Sequence, residues 1–172
     1  MMRVQELQQI GTEQLPQLAT LLQDCVHGGA SVGFLAPLSD KDASRYWQQL
    51  GRELQHDSLR CWVAMYDGQI IGSVQLSLCG KANGQHRGEI QKLLVHSSQR
   101  GRGIGSLLMQ VAEHAARAVG RTLLVLDTDS ESLAASLYPR LGWQAAGDIP
   151  HYAARPDGSL HATRYFYKIL QA

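Results

Sequence analysis

The sequence predicts an α/β fold (α+β by some schemes): a mixed, mostly antiparallel sheet with one central parallel strand pair and helices on both faces. Three observations support this prediction. Apolar residues alternate with a period of two in 59–78 and 87–96, which is typical of strands. They recur at helical spacing in 104–119. The apolar run TLLVLD (122–127) then predicts a buried strand parallel to 87–96, because a strand–helix–strand unit takes a right-handed crossover.

Local signals predict the remaining elements. Thr12 is expected to cap a first helix that runs to about Val26, and Ser39 with Asp42 predicts a capping box that opens a second helix. Asp67-Gly68 is typical of a hairpin turn that divides 59–78 into two strands. A short helix near 133–138 and two final strands complete the order β-α-α-β-β-β-α-β-α-β-β. We expect the final strands near 143–149 and 163–170.

Composition limits the function classes. The chain has 172 residues and 44% hydrophobic content, so we expect one domain spanning 1–172. Sixteen basic and fifteen acidic residues offer no general attraction to nucleic acid or to a membrane. Three widely spaced cysteines favour a reducing cytoplasm over a disulfide framework, and the histidines lack metal-ligand spacing. We therefore expect a cytoplasmic protein with no metal. The oligomeric state stays open, with a homodimer among the options.

A glycine-rich segment between a predicted strand and a predicted helix carries the chemistry. Glycines permit a tight turn and a close approach of bare N–H groups to a ligand. The start of the helix adds unpaired N–H donors and the positive end of its dipole, which together suit a phosphate. Two arginines add charge at the rim. The segment consists of Arg100, Gly101, Arg102, Gly103, Ile104, Gly105 and Ser106.

Three phosphate-binding patterns compete for this segment. The chain lacks the Walker string GxxxxGK(S/T), and the dinucleotide pattern GxGxxG fails because Ser106 or Leu108 occupies its last position. The pattern Gln/Arg-x-x-Gly-x-Gly/Ala is met by Arg100, Gly103 and Gly105. Segments 93–109 and 135–143 (ASLYPRLGW) extend the likeness, and the chain resembles the GNAT superfamily of N-acetyltransferases. That resemblance implies acetyl-CoA as cosubstrate, with its pyrophosphate on this segment.

Further segments resemble the tabtoxin resistance acetyltransferases within that superfamily. They are VHGGASVGF (26–34), QLSLC (75–79), EIQKL (89–93), LDT (126–128) and PDGSLH (156–161). The resemblance implies a small-molecule amine acceptor such as tabtoxinine-β-lactam and a role in toxin or antibiotic resistance. One position departs from the superfamily, because Glu131 stands where an asparagine often contacts the cofactor. Ser130 and Ser132 are then the candidates for that contact.

Acyl transfer to an amine requires removal of a proton from the ammonium form of the acceptor. Glu89 and Asp127 are candidate bases, each acting through water, and the resemblance implies the same two carboxylates. The alternatives are a surface role for Glu89 and a helix-capping role for Asp127. Tyr138 is a candidate proton donor to the leaving thiolate, or a core aromatic residue.

The run Leu93-Leu94-Val95 breaks the strand alternation. A bulge there would free an N–H for the thioester oxygen and place the pantetheine along these residues, whereas a strand buried on both faces explains the run equally well. Acceptor contacts are expected in the loop after the first helix and near the last hairpin. The candidates are His27, Gly28, Gly29, Ser31, Phe34, Tyr152 and Arg164. Arg164 or the N–H groups of Gly28 and Gly29 are candidate partners for the carboxylate of an amino-acid-like acceptor. The alternative function is a non-catalytic acyl-CoA-binding sensor or scaffold with the same fold.

Overall fold

The computed structural model describes residues 1–171. Its elements follow the order that the sequence predicts. A single 3-10 turn, Ser97–Gln99, precedes the third helix. The elements are β1 (Met2–Leu7), α1 (Gln14–His27), α2 (Asp40–Glu53), β2 (Leu59–Tyr66), β3 (Gln69–Leu78), β4 (Arg87–Val95), α3 (Ile104–Ala118), β5 (Leu123–Asp129), α4 (Leu133–Arg140), β6 (Gln144–Ala154) and β7 (Leu160–Ile169).

The seven strands form one sheet in the order β1-β2-β3-β4-β5-β7-β6. The pair β4–β5 is parallel and the other five pairs are antiparallel, which confirms the predicted fold class. Helix α3 supplies the crossover between the two parallel strands. Because β4 and β5 lie at the centre of the sheet, the loops after them open at its middle, where ligands of such sheets usually bind.

Two apolar clusters cover opposite faces of the sheet. One joins α3 and α4 to the inner residues of the strands, with Leu108, Leu124 and Phe166 among its buried members. The other packs α1 and α2 on the opposite face, with Leu18 and Trp47 fully buried. We call these the α3 face and the α1 face. Alternate strand residues supply them, because successive side chains in a strand point to opposite sides.

Several predicted details need correction. Helix α1 begins at Gln14, and its N-cap residue Glu13 makes no side-chain cap, so Thr12 does not cap it. Strand β5 continues to Asp129 because Thr128 and Asp129 still pair with β7. The final strands are also longer than predicted. Ser39, in contrast, caps α2 as expected, since its hydroxyl accepts a hydrogen bond from the Asp42 N–H at 3.1 Å.

Strand β4 contains a bulge. Ser73 of β3 pairs with Leu94 and Gln75 pairs with Gln91, so β4 carries one residue more than β3 between these pairs. Lys92 occupies this interval with a φ of 50°, in the left-handed region. The bulge predicted for 93–95 is therefore present, but its extra residue is Lys92, which directly precedes that run.

Candidate active site

The segment after β4 forms a tight turn that ends at the start of α3. Gly101 and Gly103 have φ angles of 75° and 77°, which other residues rarely adopt. Gly103 is the N-cap of α3 and supplies no side chain to satisfy the first helical N–H groups. The first backbone bond of the helix runs from Leu107 N–H to Gly103 O at 3.0 Å. The N–H groups of Ile104, Gly105 and Ser106 therefore lack intrahelical partners and form an anion site.

This turn is one wall of a cavity of about 660 Å³. Ten of the eleven residues that the sequence predicts for the cofactor line it. The exception is Arg102, whose guanidinium donates to Gln99 Oε1 at 3.1 Å on the exposed surface. The ten are Leu93, Leu94, Val95, Arg100, Gly101, Gly103, Ile104, Gly105, Ser106 and Ser132.

The cavity exists because β4 and β5 separate. Their ladder covers Arg87 to Glu89 on β4 and ends where Glu89 pairs with Val125. Beyond that point β4 continues to Val95 without β5 beside it, so its β5-facing backbone groups border the opening. Helix α4 fills the far side and contributes Leu137 to the wall. An elongated ligand with an apolar stem and a phosphate end fits this arrangement.

Helix α4 is fixed at its start by Ser132 rather than by Asp127. The Ser132 hydroxyl accepts from Ala135 N–H at 3.2 Å and lines the cavity. The capping alternative for Asp127 is therefore wrong, because Asp127 lies within β5, five residues before that cap. Glu131 points elsewhere and pairs with Arg155 at 2.8 Å.

Several cavity residues were not predicted from the sequence, and Arg140 and Cys25 are the two with a charge or a thiol. Arg140, in the last turn of α4, is a second arginine of the cavity wall in addition to Arg100. Cys25 of α1 also lines it, and burial raises the pKa of its thiol, so it is a poor nucleophile. Neither could be identified from the motif, because each comes from a helix distant from it in sequence.

Comparison with known proteins identifies the family. The family model described as the acetyltransferase (GNAT) family matches residues 16–143, about three quarters of the chain. The chain belongs to the GNAT acetyltransferase family. The matched span covers β4, the glycine turn, α3 and α4, which together build the cavity.

One protein is similar to the chain in sequence, and two solved structures are similar to it in fold. N-acetyltransferase family 8 member 2 of Rattus norvegicus is 36% identical over 93 residues, which are 53% of this chain and 40% of the rat protein. The chain thus spans less than half the length of that curated relative. The crystal structure of an N-acetyltransferase from Staphylococcus aureus Mu50 is 18% identical in sequence and has a TM-score of 0.80. The superposition covers 99% of this chain and 99% of that one. A putative acetyltransferase from Salmonella typhimurium, solved with its cofactor acetyl-CoA, is 16% identical in sequence and has a TM-score of 0.79. The superposition covers 100% of this chain and 95% of that one.

In this GNAT chain, Glu89 and Asp127 lie on one face of the sheet. Partners in a parallel ladder point the same way, so Glu89 shares a face with Val125, and Asp127 lies two residues beyond Val125. Leu124 and Leu126 belong to the α3 face, so both carboxylates are on the α1 face. Thr163 on β7 donates its hydroxyl to Asp127 Oδ2 at 2.7 Å and fixes that carboxylate.

Partial burial raises the pKa of the Glu89 carboxyl above its ordinary value. The negative charge of Asp127 acts in the same direction, and Gln91, Lys92 and Arg87 oppose it. A carboxylate with a raised pKa is a stronger base than an exposed one. The site therefore has the electrostatics that a proton acceptor requires, with Glu89 as the perturbed member of the pair.

Tyr138 is more deeply buried than the sequence indicates. It is 5% exposed, and its ring packs against Phe166 and Trp143 at centroid distances of 5.5 and 6.1 Å. Burial raises the pKa of its phenol, and the charge of Asp127 adds to this effect. The ring is thus part of the core, as the alternative holds, and the hydroxyl stays protonated as a donor would require.

A tyrosine pair on β6 and β7 borders the same carboxylates. Tyr165 pairs with Asp127 across the strands, and its hydroxyl lies 3.1 Å from that of Tyr152. The Tyr152 hydrogen bond, burial and the charges of Asp127 and Glu89 raise the pKa of Tyr165 to about 12. Tyr152 was predicted near the acceptor. Tyr165 was missed because strand pairing alone brings it beside Asp127.

The 27–38 loop, which contains the predicted acceptor segment 27–34, joins α1 to α2 across this face. His27 is a structural residue, since its Nε2 accepts from Leu38 N–H at 3.0 Å and holds the two ends of the loop together. Ser31 Oγ lies 2.6 Å from Nε2 of the buried His161 on β7. Phe34 packs edge-on against Tyr46 at 5.4 Å. Contacts of His27, Ser31 and Phe34 therefore hold the loop in position.

Two further predictions for the acceptor site need correction. Arg164 forms a two-pronged pair with Asp148 across the β6–β7 hairpin at 2.7 and 2.9 Å, so it is not free to bind an acceptor carboxylate. Gly28 and Gly29 line the cofactor cavity, and a Cβ placed on Gly28 would stand 3.8 Å from the Arg100 guanidinium. They belong to the cofactor side of the loop.

Two kinds of feature are absent from the described residues, a cluster of metal ligands and a membrane-spanning helix. Within residues 1–171, no three His, Cys, Asp or Glu side chains group as metal ligands. None of the helices in that part of the chain combines the length and the apolar character needed to cross a bilayer.

Proposed function

We propose that the chain transfers the acetyl group of acetyl-CoA to a primary amine of a small molecule. The main support for this proposal is that the candidate base and the cofactor cavity adjoin the same opening between β4 and β5. Glu89 ends the β4–β5 ladder where the two strands separate, and the cavity with the glycine turn opens from the same separation. In this proposal the reaction takes place near Glu89, four residues before Leu93 of the cavity wall on the same strand, and the phosphates bind at the glycine turn.

The cleft fits acetyl-CoA in chemical terms. The unpaired N–H groups at the start of α3 suit the pyrophosphate, and Arg100 and Arg140 supply positive charge beside them. The apolar side chains of Leu93 and Leu137 suit the pantetheine stem. Acetyl-CoA contributes an activated thioester, so no metal is needed.

Each predicted catalytic residue has a task in this proposal. Glu89 and Asp127 take the proton from the acceptor ammonium through water, and the raised pKa of Glu89 improves that base. A backbone N–H of β4 near the bulge donates to the thioester oxygen, where charge develops. Tyr138 donates a proton to the departing sulfur.

The acceptor in this proposal is an amino-acid-like amine. The resemblance of five segments to the tabtoxin resistance acetyltransferases supports it, with tabtoxinine-β-lactam as one candidate and detoxification in the cytoplasm as the role. Because hydrogen bonds of His27 and Ser31 hold the 27–38 loop in position on the α1 face, the site suits a compact ligand better than a protein tail. Acceptor choice varies among enzymes that share a fold, so it requires its own test.

The test is an acceptor screen under identical conditions with amino acids, β-lactam analogues, polyamines, aminoglycosides and peptides. The proposal predicts the highest kcat/KM for an amino-acid-like amine. A peptide or an aminoglycoside far above all of these would contradict the acceptor class but not the transfer reaction. Acetyl-CoA binding with no acetylated product from any amine would favour the sensor or scaffold.

A further inference from the structure

Lys92 lies on the α1 face because of the β4 bulge. Ile90 packs in the α3-face cluster and Leu94 in the α1-face cluster, although residues four apart in a regular strand share a face. The extra residue therefore reverses the alternation between them. Lys92, at φ 50°, is that residue, and a Cβ built on Gly33 of the 27–38 loop would stand 3.7 Å from Lys92 Nζ. The ammonium thus lies beneath the acceptor loop.

The positive charge of this ammonium is only partly balanced by the groups around it. The side chain is partly buried, and loss of water lowers the pKa of the amine, while the charges of Asp127 and Glu89 act to raise it. Within the described chain, 1–171, no carboxylate reaches salt-bridge distance of Lys92 Nζ. A partly buried cation without a direct partner favours the binding of an anion beside it.

We propose that Lys92 binds the carboxylate of the acceptor, so that the site selects amines that carry a carboxylate. An amino acid holds its ammonium and its carboxylate on one carbon. On the α1 face, the carboxylates of Glu89 and Asp127 are available to the ammonium of the amino acid, and the ammonium of Lys92 is available to its carboxylate. This inference rests on the proposed acetyl transfer and replaces Arg164 as the partner of the acceptor carboxylate.

A purely electrostatic role of Lys92 makes a different prediction. If Lys92 only balances the charges of Glu89 and Asp127, its removal alters proton transfer to the same degree for every amine. If it also binds the acceptor carboxylate, its removal in addition raises KM for acceptors that have one. Acceptor pairs that differ by this group therefore separate the two roles.

The experiment measures kcat and KM for phenylalanine against phenethylamine and for leucine against isoamylamine. The enzymes are the wild type, Lys92→Met, which keeps the chain length without the charge, and Lys92→Arg, which keeps the charge. Lys81→Met, on the exposed turn after β3, is the matched control. Acetyl-CoA affinity and thermal unfolding are measured for each variant.

The wild type is expected to favour the amino acid in each pair by at least about tenfold in kcat/KM, the size of one charged contact. Lys92→Met should remove this preference by raising KM for the amino acid about tenfold more than KM for the decarboxylated amine, while loss of the charge near Glu89 changes kcat alike for both. Lys92→Arg should retain part of it, and Lys81→Met all of it.

Equal use of both members of a pair by the wild type would overturn the role of Lys92 and leave acetyl transfer intact. An equal loss for both members in Lys92→Met would also overturn it, in favour of charge balance. If Lys92→Met does not fold, the wild-type comparison and Lys92→Arg still decide. Acetylation of neither member by any enzyme would contradict the proposed function itself.

Discussion

Glu89 and Asp127 project from the same face of two parallel strands, at the point where those strands separate. The ladder places Glu89 opposite Val125 and Asp127 two residues farther along, so two negative charges face one side of the sheet. Burial raises the pKa of the Glu89 carboxyl, and the charge of Asp127 acts in the same direction. Catalysis should therefore depend on pH in a way that identifies the base.

The first prediction concerns that pH dependence. Glu89 acts as a base only when ionised, so kcat/KM should fall with decreasing pH at a pKa above the ordinary value of about 4.3. Asp127→Asn removes a neighbouring negative charge and should move this acid limb to lower pH. Glu89→Gln should lower kcat by about a hundredfold or more and abolish the limb. Glu53→Gln, exposed at the end of α2, is the control. An acid limb that stays in Glu89→Gln would exclude Glu89 as the base.

The second prediction separates the two roles of Tyr138. Phenylalanine keeps the ring that packs against Phe166 and removes the proton donor. Tyr138→Phe should lower kcat by about tenfold and leave the melting temperature nearly unchanged. Tyr66→Phe, at an exposed tyrosine, should change neither. Unchanged kcat in Tyr138→Phe would assign the residue to the core alone.

The third prediction tests the cofactor turn. A Cβ on Gly105 would lie 3.5 Å from Leu137, so Gly105→Val directs two methyl groups into the cavity without straining a positive φ. Affinity for acetyl-CoA should fall by at least about tenfold, as measured by calorimetry. Gly80→Val is the control, because Gly80 has open space around it and no positive φ. Equal affinities in both variants would place the phosphates elsewhere.

The fourth prediction tests how the acceptor loop is held. Nδ1 of His161 lies 2.8 Å from its acceptor, the Ala162 carbonyl, so Nε2 is left to accept from Ser31. Ser31→Ala removes this link and should raise KM for the amine about threefold to tenfold, with little change in the acetyl-CoA affinity. Ser58→Ala, on the exposed turn before β2, is the control. A rise in the acetyl-CoA KM alone would assign the loop to the cofactor.

The fifth prediction concerns stability away from the site. Glu113 of α3 is 5% exposed and is bound by Lys168 Nζ at 2.8 Å and by Trp143 Nε1 at 3.0 Å. Lys168→Met leaves a buried carboxylate with one donor and should lower the free energy of unfolding by about 2 to 4 kcal/mol. The double variant with Glu113→Gln should recover part of this loss. Chemical denaturation measures both.

The sequence predicts the order of elements and the parallel pair because the change from period two to helical spacing, and then TLLVLD, is unambiguous. It also predicts most of the cofactor cavity, because three glycines between a strand and a helix have few structural alternatives. Both results depend on local patterns, which a single sequence records directly.

Features set by strand register were beyond sequence analysis. Residues 144–152 of β6 are exposed throughout, so no apolar alternation marks the strand and its length was underestimated. The pairing of Arg164 with Asp148 follows from the register of the β6–β7 hairpin. The bulge was anticipated near Leu93, but its effect on Lys92 depends on which residue is the extra one.

The most direct test of the whole account is the mass of the acceptor after incubation with acetyl-CoA and the enzyme. The account predicts a product heavier by one acetyl group on the amine nitrogen, formed with release of one CoA for each product. It also predicts that Glu89→Gln binds acetyl-CoA normally and forms this product far more slowly. Tight acetyl-CoA binding with no acetylated amine from the wild type would contradict the account.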